Sequence, residues 1–324
     1  MLQKADYSNL IDAQTWGFIR ETESWYPPDT INLSIEGQRD VYDRMCCAFR
    51  CDYPKDVHAQ DRMADGVPVR VYDKADVAAT AVVLYFHGGG FVVGGLESHD
   101  DVCAEICDRT GFKVVSVDYR MAPEYLHPAA YDDCLAAFHW AVCAYKLPLV
   151  LVGDSAGGNL TAAVAHTVRK TDNRVAGMVL IYPSLGENKD CGSYAFHANA
   201  PMLTRADMDF YADIRTQGAD VSGDATYAPL SNSDFSGLPP TVVFSAECDP
   251  LCDDGEDYCA ALQNAGGQAV WVNELGLVHG YLRARHSVDR ARDSFSRIVF
   301  AIDMFGQGQQ VTRDDLENLT PLTA

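Results

Sequence analysis

Leu149-Val150-Leu151-Val152-Gly153-Asp154-Ser155-Ala156-Gly157 is the stretch that decides the fold. An apolar run ends in G-x-S-x-G, and the helical-looking Gly158–Ala165 follows it. Strand, tight turn and helix in that order form a nucleophile elbow, in which a strained turn lifts a serine hydroxyl above a sheet. The two motif glycines let the backbone turn sharply and let neighbouring segments approach. A second stretch, His87-Gly88-Gly89-Gly90, follows another apolar run, Ala81–Phe86. Glycine-rich backbone at a strand end exposes N–H groups able to bind a developing oxyanion. Either motif alone is common; both, in this order and each after an apolar strand, are specific.

Outward from these stretches the chain alternates short apolar runs with amphipathic segments. Strands are expected at Ala81–Phe86, Lys113–Asp118, Leu149–Val152, Ala176–Ile181, Thr241–Ser245 and Ala269–Val272, with Val69–Tyr72 as an extra edge strand. Ser98-His99-Asp100-Asp101 has the spacing of a capping box opening a helix through Arg109, and Pro128 opens another to Tyr145. Strands alternating with helices imply a mostly parallel sheet covered on both faces. Residues 1–50 depart from this rhythm, with helical periodicity and the aromatics Trp16, Trp25 and Tyr26. So does the segment from about 185 to 234, with a helix expected near Thr204–Thr216. Both are expected to form a helical cap over the strand C-terminal ends, where open α/β sheets bind ligands. Residues 51–184 and 235–305 then make up the catalytic domain, and the polar tail 306–324 is expected to be poorly ordered.

Composition narrows the function. The chain has 324 residues and a formal net charge of -21, from 46 acidic and 25 basic side chains. That balance opposes nucleic-acid binding and docking on anionic lipid. The longest apolar stretch, Cys134 to Val152, is broken by His139, Lys146 and Pro148, so no membrane span is expected. Eleven scattered cysteines include no C-x-x-C pair, and no zinc site is expected. Met1–Asp6 has no apolar core of a secretory leader, and free thiols fit a cytoplasmic location.

Serine needs a base near neutral pH. Of nine histidines, His279 lies in a turn after the last expected strand, and it satisfies the chain order Ser, acid, His of elbow hydrolases. His87 comes too early and is expected to shape its loop. The acid should follow Thr241–Ser245, where Glu247 and Asp249 compete; Pro250 restricts Asp249 and favours a defined turn. Glu124 and Asp154 are expected to hold loops through hydrogen bonds.

Together these motifs resemble the bacterial hormone-sensitive-lipase-like carboxylesterases (family IV) of the α/β-hydrolase superfamily. The resemblance rests on His87–Phe91, Asp118-Tyr119-Arg120-Met121-Ala122-Pro123-Glu124, Gly153–Gly158, Asp249-Pro250-Leu251 and His279-Gly280, over roughly residues 65 to 305. It implies an α/β-hydrolase fold with a helical cap and a triad of Ser155, Asp249 and His279. It implies an oxyanion hole from two backbone N–H groups of Gly88, Gly89 and Gly90, with Gly89 and Gly90 favoured, plus that of Ala156. It also implies hydrolysis of short acyl esters, without metal or organic cofactor, often by a homodimer. Met121 stands where leucine is usual, and Tyr281 where phenylalanine is usual, a change expected to alter pocket polarity. Two other readings compete: an amidase or peptidase with the same triad, and a non-catalytic small-molecule binder on the same scaffold.

Overall fold

The computed structural model describes residues 5–27, 29–172, 174–186 and 190–319. The chain opens with three helices, α1 (Tyr7–Leu10), α2 (Ala13–Ser24) and α3 (Ile35–Ala48). An antiparallel pair follows, β1 (Val57–Ala64) and β2 (Val67–Lys74). The alternating unit then runs β3 (Val82–Phe86), α4 (Asp100–Thr110), β4 (Lys113–Val117), α5 (Ala129–Tyr145), β5 (Leu149–Asp154), α6 (Ala156–Val168) and β6 (Val175–Ile181). Helices α7 (Gly192–Phe196) and α8 (Arg205–Thr216) interrupt it. It resumes with β7 (Thr241–Cys248), α9 (Cys252–Asn264), β8 (Ala269–Val278) and α10 (Asp289–Gly306), and ends in α11 (Arg313–Glu317).

The eight strands form one sheet in the order β1-β2-β4-β3-β5-β6-β7-β8. The strands from β4 to β8 pair in parallel, and β2 joins β4 antiparallel. Every residue of β3 and β5 is buried, as expected for central parallel strands covered on both faces. One apolar layer joins Val83, Val150 and Phe244 to α4 and α10, through Ile106 and Phe295. The other joins Leu84, Leu151 and Met178 to α5 and α6, through Phe138 and Leu160.

Four expectations need correction. Val69–Tyr72 lies inside β2, which is not an edge, because β1 pairs outside it. The six central residues of β1 are exposed, so the strand carries no apolar signal. Ser98 caps no helix: α4 starts at Asp100, and the Ser98 hydroxyl is held by the Gly95 backbone and His99. Strand β8 runs on to Val278, through the polar Asn273 and Glu274. The tail is ordered in part, since Thr312 caps α11 and Leu316 is buried; residues 320–324 lie outside the described residues. The N-terminal segment is also anchored: Ile11, Phe18 and Ile19 are buried in the same apolar layer as Val278 and Phe295.

Candidate active site

The strand order creates the site. The sheet reverses direction of growth at β3, whose neighbours are β4 and β5, and crevices at such reversals are where α/β sheets bind ligands. Phe86 pairs with Gly153, so the loops following them leave the sheet side by side. Glycine makes the meeting possible. A Cβ on Gly157 would sit 1.8 Å from the Phe86 carbonyl oxygen, and one on Gly153 would sit 2.3 Å from that of Gly157. Ser155 adopts φ 54°, ψ -117°, the strained geometry that a nucleophile elbow requires. Its backbone is clamped by the bond from its N–H to Ile181.

The Ser155 hydroxyl lies 2.8 Å from His279 Nε2. On the other side of the ring, His279 Nδ1 lies 2.6 Å from Asp249 Oδ2. Register again explains the approach: Cys248, the last residue of β7, pairs with Val278, the last of β8. Asp249 is buried, and its second oxygen accepts the Leu251 N–H at 2.9 Å. Glu247, the competing acid, instead accepts the Gly276 N–H at 2.7 Å. Asp253 and Asp254 are occupied with the backbone around Ser193 and Leu185.

Of the three loop glycines, Gly88 is not available to an oxyanion: its N–H donates to Asp154 Oδ1 at 3.0 Å. Gly89 and Gly90 have φ of 124° and 61° and line the cavity beside Ser155. Among the described residues, neither of their N–H groups has a protein acceptor. Ala156 opens α6 and also lines the cavity, so its N–H has no partner within the helix.

Asp154 organises the floor. It accepts from the Tyr85 hydroxyl at 2.9 Å and from Gly88, and His99 Nε2 stands 3.2 Å away. Burial alone would raise its pKa, but His99, Tyr85 and the more distant charge of Arg283 outweigh this and hold it below the usual carboxylate range. His87 is buried, stacked on Tyr119 with 4.2 Å between centroids, and its Nδ1 lies 2.8 Å from the Gly88 carbonyl. Burial, with His99 adding to it, pushes the His87 imidazole down to about 4, so it is a neutral spacer. Glu124 pairs with Arg39 of α3, tying the first helices to the loop after β4. Tyr281 turns away from the cavity. It is buried, with its hydroxyl 2.8 Å from that of Ser294, so it does not set pocket polarity as expected.

The cavity above Ser155 has a volume of about 790 Å³. Its roof comes from α2, through Thr22 and Glu23, from Tyr26 just after that helix, from α3, through Tyr42 and Met45, and from α8, through Met208 and Tyr211. Two cavity cations escaped the sequence analysis: Arg215 on α8, and Arg283 in the turn after His279. Neither sits in a motif, and only the folded chain brings them to the pocket. Among the described residues there is no cluster of side chains able to hold a metal, and no helix is long and apolar enough to cross a membrane.

Comparison with known proteins agrees with this architecture. Residues 83–283 match the family described as alpha/beta hydrolase fold. The chain is 37% identical over 248 residues to carboxylesterase NlhH of Mycobacterium tuberculosis, covering 73% of this chain and 77% of that protein. It is 32% identical over 270 residues to the ethyl acetate hydrolase of Pseudomonas putida, covering 79% and 85%. An esterase from the bacterial hormone-sensitive lipase family shares the fold with a TM-score of 0.82, at 23% identity, covering 90% of this chain and 98% of that one. The chain therefore belongs to the α/β-hydrolase family, and its relatives there include carboxylic ester hydrolases.

Proposed function

We propose that the protein is a serine carboxylesterase that hydrolyses short- to medium-chain acyl esters through Ser155, His279 and Asp249. The observation that carries this reading is the unbroken line from Ser155 Oγ to His279 to buried Asp249, opening on a cavity beside free backbone N–H groups. In the proposed reaction the Ser155 oxygen attacks the ester carbonyl as its proton passes to His279 Nε2. Asp249 accepts the Nδ1–H, which selects the tautomer and stabilises the imidazolium. The N–H groups of Gly89, Gly90 and Ala156 bind the oxyanion. His279 then protonates the departing alcohol, and water releases the acid from Ser155 by the same steps.

In this reading Asp154 is a positioning residue: by fixing the Gly88 N–H it sets how Gly89 and Gly90 face the serine. Residues 1–50 and about 185–234 act as the cap, which the cavity-lining side chains of α2, α3 and α8 support; residues 187–189 of that segment lie outside the described residues. The eleven unbridged cysteines suit the cytoplasm. A homodimer is proposed on the family resemblance alone, and light scattering of the purified protein tests it. The activity is tested with a fluorophosphonate probe and a panel of neutral esters of rising acyl length. Labelling at Ser155 with turnover of short esters is expected. Absence of both, in a folded protein, rejects the reading.

A further inference from the structure

Among the described residues, the arginines withdrawn from solvent make ion pairs, as Arg39, Arg70, Arg109, Arg169, Arg174, Arg205, Arg285 and Arg297 do. Arg215 and Arg283 are the two that do not, and both line the cavity above Ser155. In a chain with 46 acidic side chains this is not a shortage of carboxylates.

The two differ in how far the protein occupies them. Arg215 is only 5% exposed and lies between the rings of Phe91 and Tyr227, 3.5 and 4.3 Å from their centroids. Its Nη atoms reach the Tyr227 carbonyl and His127, and His127 passes the interaction on to Asp224. Both faces and both ends of that guanidinium are used, so it braces the wall.

Arg283 is less committed. Its Nη2 donates to the Tyr42 hydroxyl, and its guanidinium lies 5.0 Å from the centre of that ring. Cys46, Tyr182 and Tyr26 stand around it, and it acts on the buried Asp154 carboxylate through space, without forming an ion pair. Nε is closed from solvent without a hydrogen-bond acceptor. Apart from the neighbouring Cys46 thiol, no acceptor for Nη1 occurs among the described residues. The acids of the cavity are Glu23, Asp154 and Asp207, and none pairs with it: Asp154 serves Gly88, and Asp207 closes the capping box of Thr204. Its turn, Tyr281–Ala284, follows directly on His279 and Gly280, and a Cβ on Gly280 would sit 3.0 Å from Nη1, so the guanidinium lies against the segment that carries the base.

With Nη1 and the second hydrogen of Nη2 uncommitted, this guanidinium, walled by aromatic rings and lining a large cavity, is a seat for a planar anion that can accept two parallel hydrogen bonds. We infer that Arg283 binds a second carboxylate carried by the substrate, so that the preferred esters are anionic: half-esters of short dicarboxylic acids, or esters of hydroxy acids. The inference rests on the ester-hydrolase reading and adds the substrate class. Hydrolysis is then the ordinary reaction, with water and a half-ester anion giving an alcohol, a dicarboxylate and one released proton, while the second carboxylate remains bound at Arg283.

The test compares matched pairs by acid release at constant pH. Monoethyl succinate against ethyl valerate places the charge on the acyl side. Butyryl glycolate against propyl butyrate places it on the alcohol side. The wild-type protein should prefer the anionic member in one of the two pairs. Arg283→Gln should lower that ratio of kcat/KM by about tenfold or more, mainly through KM, and Arg283→Lys should restore part of it. Wild-type turnover of neutral esters with no anionic preference in either pair overturns the inference and leaves the esterase reading standing. So does a preference that survives Arg283→Gln. No turnover of any of the four esters sinks both. Should Arg283→Gln not fold, inhibition of wild-type neutral-ester hydrolysis decides: succinate should inhibit at least tenfold more strongly than succinamide, and equal inhibition overturns the seat.

Discussion

Replacing Asp249 by asparagine separates the two acids that compete after β7. The substitution keeps the shape of the side chain, but its orientation is not free. Asp249 Oδ1 accepts the Leu251 N–H at 2.9 Å, and only an oxygen can fill that role. The asparagine must therefore turn its NH₂ toward His279 Nδ1, which now faces Asp249 Oδ2 at 2.6 Å. A donor there forces the proton onto Nε2, the nitrogen 2.8 Å from Ser155, and the base is lost. The same tautomer inversion in serine proteases costs about 10⁴ in kcat, which is about 5.4 kcal/mol of barrier. Glu247→Gln should behave differently. A glutamine oxygen still accepts the Gly276 N–H, so the cost is stability of about 1 kcal/mol and kcat within roughly threefold. The assay is kcat on a short neutral ester for both variants, with chemical denaturation to show that each is folded. Asp249→Asn within tenfold of wild type, or Glu247→Gln as the more damaging change, would refute this assignment.

Other expectations can be checked alongside. Ser155→Ala should lose about 10⁶ in kcat while keeping its circular dichroism spectrum and melting temperature. Asp154→Ala strips the acceptor from Gly88 and Tyr85 and the partner from His99, and should cost about 3–5 kcal/mol in urea unfolding. Because the folded Asp154 carboxyl titrates below its unfolded value, its stabilisation is complete above pH ~4 and is lost as the pH falls below that. Asp154→Asn should therefore flatten the acid limb of a stability-against-pH curve, and an unchanged limb would contradict the linkage. Gly157→Ala should prevent accumulation of folded protein, since its Cβ would overlap the Phe86 carbonyl. Deleting the first 35 residues should lower the unfolding temperature as well as activity, because Phe18 and Ile19 belong to the main apolar layer.

Local sequence determined the elements and the reacting groups. Continuous apolar runs such as Leu149–Val152 announce buried parallel strands, and the glycines of the elbow declare a turn that a Cβ would block. Chain order narrowed the base to His279, and motif resemblance favoured Asp249. The sequence was silent where a residue's environment is supplied by distant partners. Strand β1 is exposed and polar, so pairing alone makes it a strand. The spacing at Ser98 suggests a cap, but Gly95 and His99 claim its hydroxyl first. Gly88, Gly89 and Gly90 are indistinguishable in sequence; the Asp154 carboxylate consumes one N–H and leaves the other two open. The choice between Glu247 and Asp249 became geometric only when β7 and β8 paired and brought Val278 beside Cys248. Likewise Arg215 and Arg283 both line the cavity and differ by nothing local, yet packing engages both faces of one and leaves the Nε of the other without a partner. Backbone conformation and burial periodicity are carried by neighbours in the chain, whereas hydrogen-bond partners and cavity walls are set by strand order and register, which bring together residues more than a hundred positions apart.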